Sequence, residues 1–196
     1  RAGPLTAGSR RSGELRLVMG SVHVSVAPEG LPPFPVAAAV EEEDTYLVLS
    51  SPSPADYGDA GASLEEALSE LEGFRPREPG SVVVRGGTPL SMLAVVHDLS
   101  VEPTWKRKWV ASALETSLEE AEMRELEAVS LPVLGARHGK LPVKDFCRML
   151  VDAMSRLQPR YIRYLWIRTA HPDHPGRADE VASELRRLTR KGDSRH

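Results

Sequence analysis

The sequence contains no asparagine, and its only glutamine is Gln158. Any reaction that depends on an asparagine side chain is therefore excluded for this chain. The single cysteine, Cys147, has no second cysteine with which to form a disulfide within the chain. No apolar run approaches the roughly 18 residues of a membrane-spanning helix. These absences favour a soluble protein in a reducing, cytoplasmic location, with no membrane partner.

The chain has no strong excess of charge of either sign. It has 25 lysines and arginines against 28 acidic residues, a formal net charge of -3, so its overall charge does not indicate a nucleic acid partner. A length of 196 residues with 41% hydrophobic residues suits one globular domain. We predict a single domain at residues 14–191, a mobile N-terminal arm at 1–13 and a C-terminal tail at 192–196.

The first third of the chain is dominated by patterns typical of strands. Apolar residues alternate with a period of two over residues 15–26, which predicts one strand or a strand bent at Gly20. Short apolar runs at 36–40 and 46–49 fit a hairpin or paired strands. The acidic residues 41–44 between them then form a solvated turn.

The rest of the chain alternates between strand and helix patterns. Apolar runs predict strands at 82–84, 93–96, 129–134 and 161–167, and helical spacing predicts helices that begin near Ser63, Pro103, Pro142 and Arg177. Such alternation is typical of α/β proteins. We predict a three-layer α/β/α domain with a mixed, mostly parallel sheet.

Two segments of this pattern contain glycine loops. Residues 81–97, SVVVRGGTPLSMLAVVH, are predicted to form a strand, a glycine turn and a second strand that ends at His97. Residues 131–142, LPVLGARHGKLP, lead from a strand to the start of a helix. Free N–H groups and the helix dipole converge at such a junction, which favours a bound phosphate.

The order and spacing of these segments, over roughly residues 15–190, resemble a macro domain, the ADP-ribose-binding α/β fold. In the first glycine segment, the positions that match the family's Gly-Gly-x-Leu loop and strand-ending histidine are Gly86, Gly87, Leu90 and His97. In the second, the positions that match its Pro-x-Leu/Ile-Gly-Thr-Gly-x-x-Gly-x-Pro loop are Pro132, Gly135, Gly139 and Pro142. Ala136 and Arg137 replace the Thr-Gly pair, and Trp105 precedes a long helix as in the family.

The departures from the family pattern concern catalysis. The segment 46–68 takes the place of the family's strand, asparagine-rich turn and triple-glycine loop. Active members carry asparagines in this turn that position the distal ribose and the catalytic water. This chain has serines there instead: Ser50, Ser51 and Ser53. The resemblance therefore implies a domain that binds ADP-ribose or a related nucleotide diphosphate without hydrolysing it, and that has no catalytic residues of the usual kind.

Under this hypothesis, ligand contacts come from two loops. The candidate residues are Ser51, Gly58, Asp59 and Gly61 in the first loop and Gly135, Ala136, Arg137, His138 and Gly139 in the second. If Arg137 binds a phosphate, Arg137→Ala weakens nucleotide binding by about 1.5 to 3 kcal/mol. If the arginine instead fills the pocket, the same substitution creates or strengthens binding.

Two other functions remain open at this stage. A degenerate pocket would leave a protein-interaction or oligomerisation module, and residual hydrolysis could use Asp59 or His138 as a base. Asp44 could read an adenine amino group, although a solvated turn is the simpler expectation for the acidic residues around it.

The remaining reactive side chains favour structural roles. His97 is expected to be a satisfied buried histidine, and Cys147 a small hydrophobe on the apolar face of its helix. We predict no cofactor and no metal site, since prolines interrupt the histidines at 171 and 174. Basic clusters at 106–108 and 186–191 lack interleaved aromatic residues, so we expect no nucleic acid partner.

Overall fold

The computed structural model describes residues 14–49, 75–136, 139–169 and 176–193. The predicted arm at 1–13 and the helix expected near Ser63 lie outside these residues. The strands are β1 Leu15–Met19, β2 Val22–Pro28, β3 Ala38–Asp44, β4 Val82–Arg85, β5 Leu90–His97, β6 Ala128–Pro132 and β7 Tyr164–Thr169. The helices are α1 Arg107–Met123, α2 Val143–Leu157 and α3 Gly176–Asp193.

The strands form one sheet in the order β1-β2-β7-β6-β3-β5-β4. The five inner strands run parallel, and β1 and β4 join the two edges in the antiparallel direction. The predicted α/β class with a mixed, mostly parallel sheet is confirmed. Because the inner strands share one direction, their carboxyl ends meet at one edge of the sheet, which we call the carboxyl edge.

The hydrophobic core lies between the sheet and α1, α2 and α3. Side chains that alternate along the strands, such as Val24 and Val40, face Leu114, Phe146 and Val181 from the helices, and all are fully buried. Complete burial of one such side chain stabilises the fold by about 1.5 to 3 kcal/mol. Of the helices described, all three pack on this one face of the sheet.

The region around residues 41–44 differs from its prediction. One strand, β3, runs through these residues, and the turn begins only at Thr45. Glu42, Glu43 and Asp44 are buried, so the predicted hairpin and solvated acidic turn are wrong. Hydrophobic periodicity could not reveal this strand, because its buried end carries carboxylates whose bonding partners are distant in sequence or follow the strand.

Several element boundaries also move. Residues 15–26 form two antiparallel strands rather than one, joined by a turn at Gly20, whose φ of 59° suits glycine. β7 begins three residues later than predicted, because the backbone N–H groups of residues 160–162 donate to the carboxylate of Glu122 at the end of α1. α1 begins at Arg107 rather than at Pro103.

None of the helices in the described residues is long and apolar enough to cross a lipid bilayer.

Candidate functional site

The candidate site lies at the carboxyl edge, where β3 and β6 separate. These neighbouring strands pair at only two positions, Ala38 with Val129 and Ala39 with Ser130. The chain leaves β3 toward one side of the sheet and β6 toward the other, the arrangement that opens a crevice in α/β folds.

Arg168 of β7 closes the inner end of this crevice. Its guanidinium donates to the backbone carbonyl of Val40 and, over 2.8 Å, to the carboxylate of Glu41. Pro132 at the end of β6 has no N–H with which to extend the pairing with β3. The arginine side chain thus supplies a hydrogen-bond donor to the Val40 carbonyl of β3, which the neighbouring strand β6 does not supply.

The loop at 133–142 connects β6 to α2 and needs glycine at two positions. Gly135 has a φ of 78°, and a Cβ there would lie 3.0 Å from a methyl carbon of Val110. A Cβ on Gly139 would lie 2.4 Å from the carbonyl oxygen of Gly135 and 3.1 Å from the Trp105 ring. The two glycines of this loop that match the family pattern therefore have a steric reason in this chain.

Glu42 ties this loop to the sheet. One carboxylate oxygen accepts the N–H of Gly135 at 2.9 Å, and the other lies 2.5 Å from Nε2 of His97. The side chains of Glu42 and His97 are only 2% and 1% exposed. His97 is thus a satisfied buried histidine, as predicted, and the N–H of Gly135 is bonded within the protein.

Glu43 and Asp44 hold the turn that follows β3. Asp44 accepts the N–H of Tyr46 at 2.6 Å and the N–H groups of Val48 and Leu49 at 3.1 Å. Glu43 accepts the N–H of Leu49 at 2.7 Å. The Asp44 carboxylate is therefore a turn-forming group in the way of an Asx turn. Asp44 lies two residues before Tyr46, whose N–H it accepts. An aspartate that follows an apolar strand pattern is the sequence signal that could have predicted this turn.

Both α1 and α2 begin at the carboxyl edge. Their first turns are linked by Arg107, which donates to the buried carboxylate of Asp145 over 2.6 Å. The positive ends of two helix dipoles therefore lie beside the loop at 133–142, and this arrangement favours an anion there.

The structure places part of the predicted ligand set. Gly135, Ala136 and Gly139 lie in the loop at the carboxyl edge, where the N–H of Ala136 is bonded to the carbonyl of Val133 at 3.1 Å. The other candidates, and the histidines considered for a metal, lie outside the described residues: Ser51, Gly58, Asp59, Gly61, Arg137, His138, His171 and His174. Among the residues that are described, no group of three or more His, Cys, Asp and Glu is arranged to hold a metal ion.

Cys147 is fully buried on the inner face of α2. Burial raises the pKa of its thiol to about 12, with a smaller effect of Glu184 in the same direction. The thiol therefore stays protonated at neutral pH and packs as a small hydrophobe, as the sequence predicted.

A cavity of about 420 Å³ lies far from the candidate site. It is lined by the turn between β1 and β2 and by the end of α2: Met19, Gly20, Ser21, Met154, Ser155, Gln158 and Pro159. Of the predicted ligand-binding residues, those that the structure describes, Gly135, Ala136 and Gly139, do not line it. Chemistry, rather than cavity size, therefore points to the carboxyl edge.

Comparison with known proteins supports the same fold. A family model described as the Macro domain matches residues 57–150. A mutant of the Oceanobacillus iheyensis macrodomain superposes with a TM-score of 0.65 at 14% identity, over 95% of this chain and 98% of that chain. The same macrodomain with ADP gives a TM-score of 0.64 at 13% identity, over 89% of this chain and 97% of that chain.

A more distant likeness gives the same result. The macro domain of ganglioside induced differentiation associated protein 2 superposes with a TM-score of 0.55 at 17% identity, over 83% of each chain. No curated protein gives a significant sequence match. The chain therefore has the fold of a macro domain, and the resemblance inferred from the sequence is confirmed by the segment that the family model matches and by the superpositions. Its sequence identity to the superposed structures is low, at 13 to 17%.

Proposed function

We propose that this domain binds ADP-ribose or a related nucleotide diphosphate at the carboxyl edge and does not hydrolyse it. The observation that carries the proposal is the loop at 133–142, which joins a central strand to the start of α2 beside the start of α1. Diphosphate oxygens suit the partial positive charge of two converging helix starts.

The relatives support the choice of ligand. One solved structure is the Oceanobacillus iheyensis macrodomain with ADP, and another is a mutant of that protein with ADPR. Glycines at 135 and 139 let this loop pack closely on Val110, Trp105 and its own backbone, which keeps the loop beside the two helix starts.

The absence of turnover follows from residue chemistry. No side-chain amide other than Gln158 exists in the chain, and Gln158 ends α2 beside the distant cavity. The end of β3 carries Glu42, Glu43 and Asp44, whose carboxylates hold backbone N–H groups or His97. Incubation with mono-ADP-ribosylated protein is expected to leave the modification intact. Release at the rate of an active macro-type hydrolase would contradict this part of the proposal.

Binding is tested by calorimetry with ADP-ribose, ADP and AMP at fixed salt. We expect the wild-type chain to bind ADP-ribose, and Gly139→Ala to weaken binding about tenfold or more, since its Cβ would displace the Gly135 carbonyl. Gly86→Ala is the matched control, because a Cβ there meets no atom within 4 Å. Its affinity is expected to equal that of the wild type. Absence of binding by the wild type at millimolar ligand would refute the proposal.

A second candidate function is a protein-interaction or oligomerisation module with a degenerate pocket. The bond between Glu42 and the N–H of Gly135 favours it, because a carboxylate already occupies a donor of the candidate phosphate loop. The two functions differ in one outcome. If Glu42 closes the pocket, none of the three nucleotides gives a calorimetric signal. If the loop accepts a phosphate, ADP-ribose gives one. The cytoplasmic location and the domain limits of residues 14–191 stay predictions.

A further inference from the structure

Helix α1 carries its charges in the order opposite to the one that its dipole favours. Lys106, Arg107 and Lys108 stand at its start, and no acidic residue lies in its first turn. The glutamates at 119, 120 and 122 lie near its end, and no basic residue lies in its last turn. Each of these charges weakens the helix at its own end. Glu120 pairs with Arg124, and Glu122 accepts the N–H groups of residues 160–162. The charges without a structural reason at the helix ends are therefore the basic ones at the start, and they point to a function.

Contacts within the protein compensate these cations only in part. Arg107 is bonded to Asp145 at 2.6 Å, and Nζ of Lys106 lies 4.7 Å from the centre of the Trp109 ring. Lys106 also contributes to a lowered pKa of Asp98, which is caused mainly by hydrogen bonds from Ser100. All three basic side chains remain exposed.

The fold brings this end of α1 next to cations from two other segments. Lys140 follows Gly139, the glycine that packs on Trp105 immediately before Lys106. Lys144 and Arg148 lie one turn apart on α2 and flank Asp145, the partner of Arg107. These exposed residues form what we call the cationic surface: Lys106, Arg107, Lys140, Lys144 and Arg148.

Two acids beside the cationic surface, Asp145 and Glu184, are paired within the protein, and a third, Asp98, lies near Lys106. Asp145 is buried and bonded to Arg107. Glu184 of α3, whose pKa is lowered by a hydrogen bond from Arg187 and by smaller effects of Arg148 and Lys144, forms its ion pair with Arg187. Within the described part of the chain, Lys140 and Lys144 form no ion pair. The surface is therefore positive although the whole chain has a formal net charge of -3.

We propose that the cationic surface binds the backbone of a single-stranded polynucleotide. Successive phosphates of such a chain match separated, exposed ammonium and guanidinium groups, and the half-buried rings of Trp105 and Trp109 supply aromatic area among them. The surface adjoins the candidate phosphate loop through Lys140. The proposal goes beyond nucleotide binding in the pocket and does not depend on it.

This partner departs from the expectation drawn from the sequence. The sequence analysis considered the basic runs 106–108 and 186–191 and counted no aromatic residue within them, although Trp105 and Trp109 flank the first run. In the fold, Lys106 and Arg107 instead lie with Lys140, Lys144 and Arg148, which are scattered singly along the chain and form no basic run.

The test is fluorescence anisotropy with a labelled single-stranded RNA of mixed sequence and about 20 nucleotides, a length that exceeds common single-strand sites. One variant combines Lys106→Glu, Lys140→Glu and Lys144→Glu. The matched control combines Arg85→Glu, Arg160→Glu and Arg163→Glu, which are equally exposed side chains away from the cationic surface. Both variants change the net charge equally.

We expect the wild type to bind with an affinity that falls as salt rises. The surface variant is expected to lose affinity at least tenfold and to reduce the slope of log K against log salt by about 2, from three lost phosphate contacts. The control is expected to stay within about threefold of the wild type. The melting temperature of the surface variant is expected to match or exceed the wild-type value, because Lys106→Glu and Lys144→Glu place acids at helix starts.

Other outcomes overturn the proposal. Equal losses in the two variants mean unspecific attraction, and no RNA binding by the wild type at low salt excludes the partner outright. If polyglutamate, or vesicles containing phosphatidylserine, bind as tightly as the RNA, the surface is not specific for a polynucleotide and the proposed partner is refuted. Should the triple variant unfold, Lys140→Glu alone must still weaken RNA binding. Calorimetry with ADP-ribose on the same samples separates failure here from failure of the pocket.

Discussion

At the scale of single residues, Glu42 holds three elements together. Its carboxylate joins β3 to the end of β5 through His97 and to the loop at 133–142 through the N–H of Gly135. The charge is buried, so its bonding partners must offset the loss of hydration. A buried carboxylate of this kind sets the position of the candidate phosphate loop relative to the sheet.

Removal of this carboxylate is expected to be costly. Glu42→Ala leaves the N–H of Gly135 and the ring of His97 without their buried acceptor, so the free energy of unfolding falls by about 3 to 5 kcal/mol. Urea denaturation followed by circular dichroism measures this loss. The control is Glu119→Ala, an exposed glutamate whose removal changes stability by about 0.5 kcal/mol or less. Equal stability of the two variants would show that Glu42 does not tie the loop to the sheet.

At the scale of elements, the sequence predicted what depends on local pattern. Valine-rich runs marked β4 and β5, and helical spacing marked α2 with its buried Phe146 and Leu150. The first residues of β3 lie in the apolar run predicted at 36–40, but its second half was missed because it is acidic. The carboxylates there are satisfied by donors from the following turn, from β5 and from residue 135. No local pattern reports a partner that lies 93 residues away.

The candidate site was predicted to the same extent. Gly135 and Gly139 could be found because a glycine loop between a strand and a helix has a recognisable spacing. The steric reasons for these two glycines could not be predicted, since the atoms that exclude a Cβ belong to Val110, Trp105 and the loop itself. Likewise, a cationic surface assembled from α1, α2 and the loop is visible only once these segments are adjacent.

At the scale of the whole molecule, the two edges of the sheet differ in chemistry. The carboxyl edge has two helix starts, the glycine loop and the cationic surface. The opposite edge has the cavity of about 420 Å³ and the glutamates at the end of α1. An anionic ligand is therefore expected at the carboxyl edge, since the helix starts and the exposed cations there attract negative charge.

The most direct test of this account is an NMR titration of the ¹⁵N-labelled chain with ADP-ribose. Binding at the carboxyl edge is expected to shift the amide signals of Ala136, Gly139, Lys140 and Leu141 while leaving Gly20, beside the cavity, unchanged. No shifted amide at millimolar ADP-ribose, or shifts confined to the residues around the cavity, would contradict the claim that this domain binds a nucleotide diphosphate at its carboxyl edge.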